Sequence, residues 1–309
     1  MPTTGRSPAR DSYAYQRQFH KPTWSSAIRS TVARFIPAEW RQRLRLRRRL
    51  ELARDYAFDG VDFLLGRRKE LIPPRHLNFV GHGNFEATGD EFLRYFIDFA
   101  DLKPEHQVLE IGCGVGRMAR PLTRYLTGGD YQGIDIVPKA IRWCQSNITT
   151  RYPNFHFHLA DIHNLAYNPQ GRIHSSEYEF LFEPDVFDFA FLTSVFSHML
   201  TAEVKHYLAQ TASRLRPGGK CLITFFLLND ESRRLIREGL SALTFQFSRA
   251  GCYVNDDLVP EYAVAFAEDD IRELFLEFGL VIDAVHYGAW CGRSNFVSYQ
   301  DMVIATKIR

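Results

Sequence analysis

The chain predicts a doubly wound α/β fold with its ligand at the carboxyl ends of a parallel sheet. Three observations carry that expectation. The apolar run 107–111 passes through Glu110 into a turn with glycines at Gly112, Gly114 and Gly116. Acids then recur where later strand-like runs end, at Asp135 after 131–134 and at Asp161 after 157–160, and Asp188 opens a further run to Ser194. Strand-then-polar units in this order describe a sheet that winds both ways from its first strand. The glycines admit positive φ and a close ligand, and a helix opening near Arg117 would aim N–H groups at a negative or electron-rich group.

The elements follow in chain order. Residues 1–26 are polar, rich in Pro, Ser, Thr and Arg, and are expected to be poorly ordered. Ile28, Val32, Ile36, Trp40 and Leu44 then recur four apart, with Pro37 placed to open a helix. Arg41, Arg43, Arg45, Arg47, Arg48 and Arg49 make this a basic arm, assigned to residues 1–76. Three readings of the arm stay open: a solvated helix packed by its apolar stripe, a helix lying on a membrane surface or acidic partner, and an organellar transit peptide. Residues 81–89 read as a glycine-punctuated loop before a helix that buries Phe92, Tyr95, Phe96 and Phe99. Next come a strand at 108–111, a helix from Arg117 to Tyr125, a strand at 131–134, a helix opened by Pro138 and a strand at 155–159. The connection 164–186 is longer than an ordinary crossover and is expected to fold locally or to serve function. Thr201 is expected to cap a helix that ends at Pro217-Gly218-Gly219, followed by a strand at 221–227. Residues 229–268 break the alternation and read as an insertion covering the substrate, with Phe245, Phe247, Tyr253, Tyr262 and Phe266 available either for that or for core packing. Helix 269–278, stopped by Gly279, leads to strand-like 280–287 and 302–308. The core thus occupies 77–228 and 269–309.

These residues resemble the class I S-adenosylmethionine-dependent methyltransferases over 85–309. The pattern E/D-x-G-x-G-x-G is met by Glu110 to Gly116, the later acids by Asp135 and Asp161, and the L-R-P-G-G that precedes the fifth strand by Leu215 to Gly219. The resemblance implies a Rossmann-like, seven-stranded, mostly parallel sheet with an antiparallel last strand, and S-adenosyl-L-methionine as cofactor. It implies that Glu110, Gly112, Cys113, Gly114, Gly116 and Arg117 surround the methionine portion, with Ser194 nearby. Asp135, followed by Ile136, would hold the ribose, and Asp161, followed by Ile162, the adenine. It also implies that the segment before the first strand folds over the cofactor. A nicotinamide-dependent dehydrogenase would need G-x-G-x-x-G, and the sixth position here is Arg117.

Methyl transfer from a sulfonium needs alignment more than catalytic groups, although a hydroxyl acceptor benefits from a base. His198, in the run after the fourth strand, is the candidate base, since a neutral imidazole is available near pH 7. Its alternative role is to hydrogen-bond the loop or the edge of the cofactor. Ser194, Asp230, Tyr287 and His82 are weaker candidates for orienting the acceptor. The sequence lacks the D/N-P-P-Y signature of amino-group nucleic-acid methylation and a Pro-Cys nucleophile after the fourth strand. An acid is missing where a metal-dependent catechol-type site would need one, at Thr193 and Ser194, and in the His156, His158, His163 cluster strand alternation explains the first two. The 309 residues carry a net charge of +2, hold 5 cysteines in no C-x-x-C pair, and contain no apolar run of about 18 residues. A cytoplasmic protein is expected, with nucleic acid disfavoured as a partner. The expected activity is methylation of an oxygen, hydroxyl or carboxylate, on a small molecule or glycan, with a lipid-linked one included. The alternatives are a cofactor-binding adaptor without turnover and an N-methyltransferase acting on protein or RNA.

Overall fold

The structure, a computed structural model, describes residues 38–67, 69–78, 84–164 and 167–308, with the backbone alone at 38–49 and 51. The expected disorder of 1–26, the start of the apolar stripe, and His82 lie outside these residues.

Successive side chains of the central strands pack on opposite faces of the sheet, and both faces are buried. In β1 (Gln107–Ile111), β4 (Phe187–Leu192), β5 (Leu215–Phe225) and β11 (Asp301–Lys307), Val108, Phe189, Phe191, Leu222 and Ile304 pack on one face. Leu109, Ala190, Leu192, Ile223 and Val303 pack on the other. A strand buried on both faces reads as continuous apolar sequence, because helices cover both sides. Adding β2 (Asp130–Asp135), β3 (Phe155–Leu159) and β10 (Leu280–His286), the order is β10-β11-β5-β4-β1-β2-β3. β11 runs antiparallel to both β5 and β10, and the β1–β5 pairings are parallel, as expected. The chain steps from β1 outward to β3 and returns to β4 on the other side of β1. The ends of β1 and β4 therefore flank the switch point where a ligand crevice forms.

Helix α1 (Ala38–Leu64) is followed by α2 (Phe85–Ala100), where Asn84 Oδ1 accepts from the N–H groups of Glu86 and Ala87, each at 3.1 Å. The loop expected over 81–89 is thus helix from Phe85 onward. Gly89 makes that possible: a Cβ there would lie 2.5 Å from the Arg117 carbonyl oxygen, so α2 presses directly on the chain leaving the glycine turn. Helix α3 (Ala119–Tyr125) starts two residues later than expected, after a run of turns. Helix α4 (Pro138–Cys144) opens on its proline and continues as a π-turn over Gln145–Thr149.

Helix α5 (Thr201–Arg214) is capped differently from expectation. Leu200 is the N-cap, and the Glu203 carboxylate accepts from its N–H at 2.7 Å, while the Thr201 hydroxyl is buried with no hydrogen-bond partner. The helix also stops at Arg214, because Leu215 already pairs with Phe187. The Pro-Gly-Gly then lies within β5 itself, at the β4/β5 register shift. Between β3 and β4 the long connection folds locally, with a bridge between Ile162 and Ile173, a single turn at Ser175–Glu177, and Tyr178 and Phe180 buried.

After β5, the strand β6 (Leu227–Leu228) leads into α6 (Asp230–Arg237) and the strands β7 (Phe247–Arg249), β8 (Cys252–Val254) and β9 (Val264–Ala267), forming a second sheet in the order β6-β9-β8-β7. Its aromatics mostly pack: Phe245 and Phe266 are buried, and Phe245 lies against Phe226 and Trp290. Helix α7 (Glu268–Glu277) returns the chain to β10.

Beneath this second sheet lies a buried ion pair. Asp301 accepts from Leu227 N–H at 2.8 Å, Gly288 N–H at 2.8 Å, Trp290 Nε1 at 2.7 Å and Arg293 Nη1 at 3.0 Å. Arg293 also donates to Glu231 at 2.8 Å and to Asn229 Oδ1 at 3.2 Å. Burial pushes the Asp301 carboxyl up to about 6, against those donors. Arg293→Met should therefore destabilise the chain by about 3–5 kcal/mol, because one buried charge is left alone. Arg293→Met combined with Asp301→Leu should recover much of that loss. Urea unfolding of the parent and both variants checks this, and a mild single variant would mean that water solvates Asp301.

Candidate active site

The glycine turn after β1 adopts the backbone that its sequence demands, with φ of +82°, +54° and +73° at Gly112, Gly114 and Gly116. Glycine is required at 112 by packing as well, since a Cβ there would approach Val195 Cγ2 to 2.5 Å. Val195 belongs to the loop after β4, so the two loops of the switch point touch at this residue. Several of the turn's own N–H groups are used within the fold. Gly112 and Cys113 donate to the Ile134 carbonyl at 2.8 and 3.0 Å, and Gly116 donates to the Cys113 carbonyl at 2.9 Å.

Asp135 ties this turn to the end of β2. Its Oδ2 accepts from Gly114 N–H at 2.7 Å and its Oδ1 from Val137 N–H at 2.8 Å. Burial raises its pKa, and the backbone donors at Val137, Gly114 and Ile136 oppose the rise. Each carboxylate oxygen keeps a second acceptor position for a hydroxyl. Glu110 points into the sheet interior, where Tyr131 donates its hydroxyl to Oε2. Burial pushes the Glu110 carboxyl up to about 8, against the pull of the Tyr131 hydrogen bond, with the negative Asp135 adding to the rise and Arg117 lowering it. Cys113 is buried, and Arg117 is partly exposed. Asp161 accepts from Arg172 Nε in a pair whose arginine side chain is 85% exposed, an association that an incoming donor can displace at little cost. Ile136 is half-buried, while Ile162 is fully packed into the core.

Across the crevice, Ser194 takes a left-handed φ of +57°, a costly conformation for a residue other than glycine. Its N–H donates to Thr224 Oγ1 at 2.7 Å, and the hydroxyls of Ser194 and Thr224 both donate to Gln300 Oε1 at 2.8 Å. His198 follows in a single turn, Phe196–His198, with Nδ1 2.9 Å from the carbonyl oxygen of Glu261 in the insertion. A carbonyl only accepts, so Nδ1 carries the proton and Nε2 is the basic nitrogen of the neutral ring. Burial lowers the His198 pKa, more strongly than the Glu261 and Tyr262 carbonyls raise it.

The weaker candidates separate. Tyr287 donates its hydroxyl to the Glu268 carboxylate at 3.0 Å, which also accepts from Asn229 Nδ2 at 2.9 Å and from Arg272 at 2.6 Å. Asp230 stands exposed in the first turn of α6, outside that network. Asp188, an acid at a strand's start, lies at the opposite edge of the sheet, where it accepts from Gln107 N–H at 2.7 Å and pairs with Arg216. Sequence reasoning missed Thr224, Gln300, Arg293 and Asp301. The available signal was the 14 residues of the β10–β11 connection, far longer than a hairpin turn needs.

The donor set fits an adenosyl sulfonium: a left-handed glycine turn at the switch point, a carboxylate with spare acceptor positions at the end of β2, and an exchangeable one beyond β3. Comparison with known proteins agrees with that frame. A family model described as a methyltransferase domain matches residues 53–285. The 23S rRNA (uracil(1939)-C(5))-methyltransferase of Shewanella sediminis is 30% identical over 97 residues, which is 29% of this chain and 21% of that protein, so the chain spans about a fifth of this relative's length. Among solved structures, a chain in the complex between the Haloferax volcanii Trm112 methyltransferase activator and a methyltransferase superposes with a TM-score of 0.50 at 14% identity, covering 73% of this chain and 92% of that one. A protein of Methanosarcina mazei described as a SAM-dependent methyltransferase gives 0.47 at 21% identity, covering 69% and 97%.

The buried Glu110 carboxyl generates a prediction. Folded, it keeps its proton up to about pH 8, whereas an ordinary glutamate releases it near 4.5. Between those values the native state binds more protons than the unfolded one, so stability falls as pH rises. Glu110→Gln has no proton to lose and should flatten that fall in urea midpoints measured across the interval. Parallel pH dependence in parent and variant would mean that Glu110 is ionised when folded.

Proposed function

We infer the reaction from kinship: this chain belongs to the methyltransferase domain family, and from that premise we assign it the transfer of a methyl group from S-adenosylmethionine to an oxygen of a small molecule or glycan. Membership covers the coarser statement, an S-adenosylmethionine-dependent methyltransferase acting on some substrate. The oxygen acceptor is our reading, and His198 carries it. Its proton is committed to the Glu261 carbonyl, its ring is held neutral by burial, and it stands in the loop that follows β4, beside the glycine turn. A neutral imidazole there suits removal of a hydroxyl proton as the carbon–oxygen bond forms.

In this reading the cofactor supplies the activated methyl group. The chain's residues do the rest. The glycine turn and Asp135 bind, Asp161 selects, and the Ser194–Thr224–Gln300 bonds hold the loop that presents His198. The insertion sits at the ligand edge and serves as the substrate cover. Pyrimidine C5 chemistry, the activity named for the rRNA enzyme of Shewanella sediminis, is disfavoured by the cysteines. A covalent nucleophile must reach the substrate as a thiolate, but all five cysteines are buried. Desolvation further pushes the thiols of Cys113, Cys144, Cys221 and Cys291 upward.

Two outcomes test the assignment. Asp135→Asn should keep the fold and weaken S-adenosylmethionine binding about ten-fold or more in calorimetry, since a charge-assisted hydrogen bond is worth roughly 1.5–3 kcal/mol. Unchanged affinity would remove Asp135 from the cofactor. His198→Ala should lower turnover by about 100-fold or more with cofactor affinity intact. With the parent, kcat/KM should rise with pH to a plateau, through an apparent pKa below the ordinary histidine value of 6.5. Turnover of the variant within a few-fold of the parent would make His198 structural and favour a carboxylate acceptor, which needs no base.

A further inference from the structure

Helix α1 combines two properties that a packed structural helix does not need. From Leu50 onward it leaves large apolar side chains in solvent: Leu50 is 62% exposed, Phe58 51%, Val61 48%, Leu64 83%, and Leu65 just beyond it 56%. Single exposed apolar residues are ordinary, but five within 16 positions make a patch. Basic residues bracket that patch. Residues 38–69 hold 10 arginines and lysines against 5 acids, a net +5 in a chain whose total is +2, so the rest of the molecule sums to −3. Six of the arginines precede the patch at 41–49, and Arg67, Arg68 and Lys69 follow it.

The helix is also fixed to the body of the protein at a definite place. Asp59, buried, accepts from the backbone N–H of Arg75 at 3.0 Å and lies 2.9 Å from His76 Nδ1; Tyr56 stacks on the His76 ring, and Arg75 pairs with Asp62 at 2.7 Å. The docked segment continues inward, where Ile72 and Leu77 pack with Phe85, Val115 and Ala140. Val115 lies within the glycine turn. The exposed patch is thus mechanically joined to the cofactor cradle through one short segment.

We propose that α1 and the residues just beyond it form a docking surface for an anionic phospholipid membrane, seating the methyl-donor site at the lipid surface. Charge and apolarity together select this occupant: anionic headgroups attract the flanking cations, and the acyl boundary takes the exposed leucines. The association proposed is peripheral; no helix of the described residues is long and apolar enough to cross a membrane. By helical spacing, Leu50, Phe58, Val61 and Leu64 fall on one side of the helix, as a helix lying along a membrane surface requires. The proposal stands apart from the oxygen-acceptor reading, because its test measures binding without turnover.

The experiment is co-sedimentation of the full chain with vesicles of phosphatidylcholine alone and of phosphatidylcholine mixed with phosphatidylglycerol, at low and high salt. The full chain should pellet with the anionic vesicles at low salt and be released at high salt. Leu64→Ser with Leu65→Ser, both at exposed positions, should reduce the partition coefficient about ten-fold or more with unchanged cofactor affinity. Arg47→Gln, Arg48→Gln and Arg49→Gln together should remove most of the salt dependence. The proposal fails if the chain stays in the supernatant throughout, or if it binds neutral and anionic vesicles alike. It also fails if analytical ultracentrifugation shows a dimer that the leucine variant dissociates while vesicles bind neither form, which would give the patch to a second copy of the chain.

Discussion

Asp135 is the contact on which the ligand end of this molecule depends. A sheet that winds both ways leaves a gap between the ends of β1 and β4; the turn that borders it is tied to β2 by the Gly112 and Cys113 N–H groups on the Ile134 carbonyl, but a further contact must fix its middle. The Asp135 carboxylate does so by accepting the Gly114 N–H on one oxygen and the Val137 N–H on the other. One side chain thereby sets the glycine turn after β1 and the entry to α4 after β2. Gly112 and Gly116, also at positive φ, are held by their own N–H bonds to the Ile134 and Cys113 carbonyls. A residue expected to hold a ligand also holds the loop that receives it, so its removal weakens binding by two routes.

The other side of the crevice is held by polar groups buried deep enough to require complete satisfaction. Asp301 accepts four hydrogen bonds, and Arg293 spreads its donors over Asp301, Glu231, Asn229 and the Gly288 carbonyl. Such a network adds little net stability over an apolar equivalent, but it tolerates few other arrangements. It fastens the start of β11, the long β10–β11 connection and the N-terminus of α6 to one another. Gln300, adjacent to Asp301, extends that rigidity to Thr224 and Ser194 and so to the strained loop after β4.

The sheet was legible in the sequence because its determinants are local: short apolar runs, acids at strand ends and glycines at a turn. The antiparallel end of the sheet followed from the resemblance and is present. The helix starts were less legible. Glu203 reaches back to the Leu200 N–H, so an apolar residue holds a position for which Thr201 looked better suited. The 85–89 loop was misread because Thr88-Gly89 looks like punctuation, whereas Gly89 is there to let a helix touch the Arg117 carbonyl, a contact between residues 28 apart that no local pattern encodes. The Gln300 and Arg293 networks join residues more than 60 positions apart, and the only trace of them in the sequence was a connection too long for its hairpin.

His198 shows how the insertion and the chemistry are linked. A histidine in a loop after a strand has two tautomers of similar energy, and only one leaves Nε2 basic. The choice is made by the Glu261 carbonyl, which belongs to the segment between β8 and β9. That segment is placed by the pairing of β8 with β9, and β9 by its parallel bonds to β6, which continues directly from β5. The proton on Nδ1 is therefore fixed by a path of backbone hydrogen bonds running from the central sheet, out through the second sheet and back to the crevice. A displacement of the second sheet would remove the carbonyl that orients the imidazole, so the tautomer of His198 depends on a carbonyl 63 residues further along the chain.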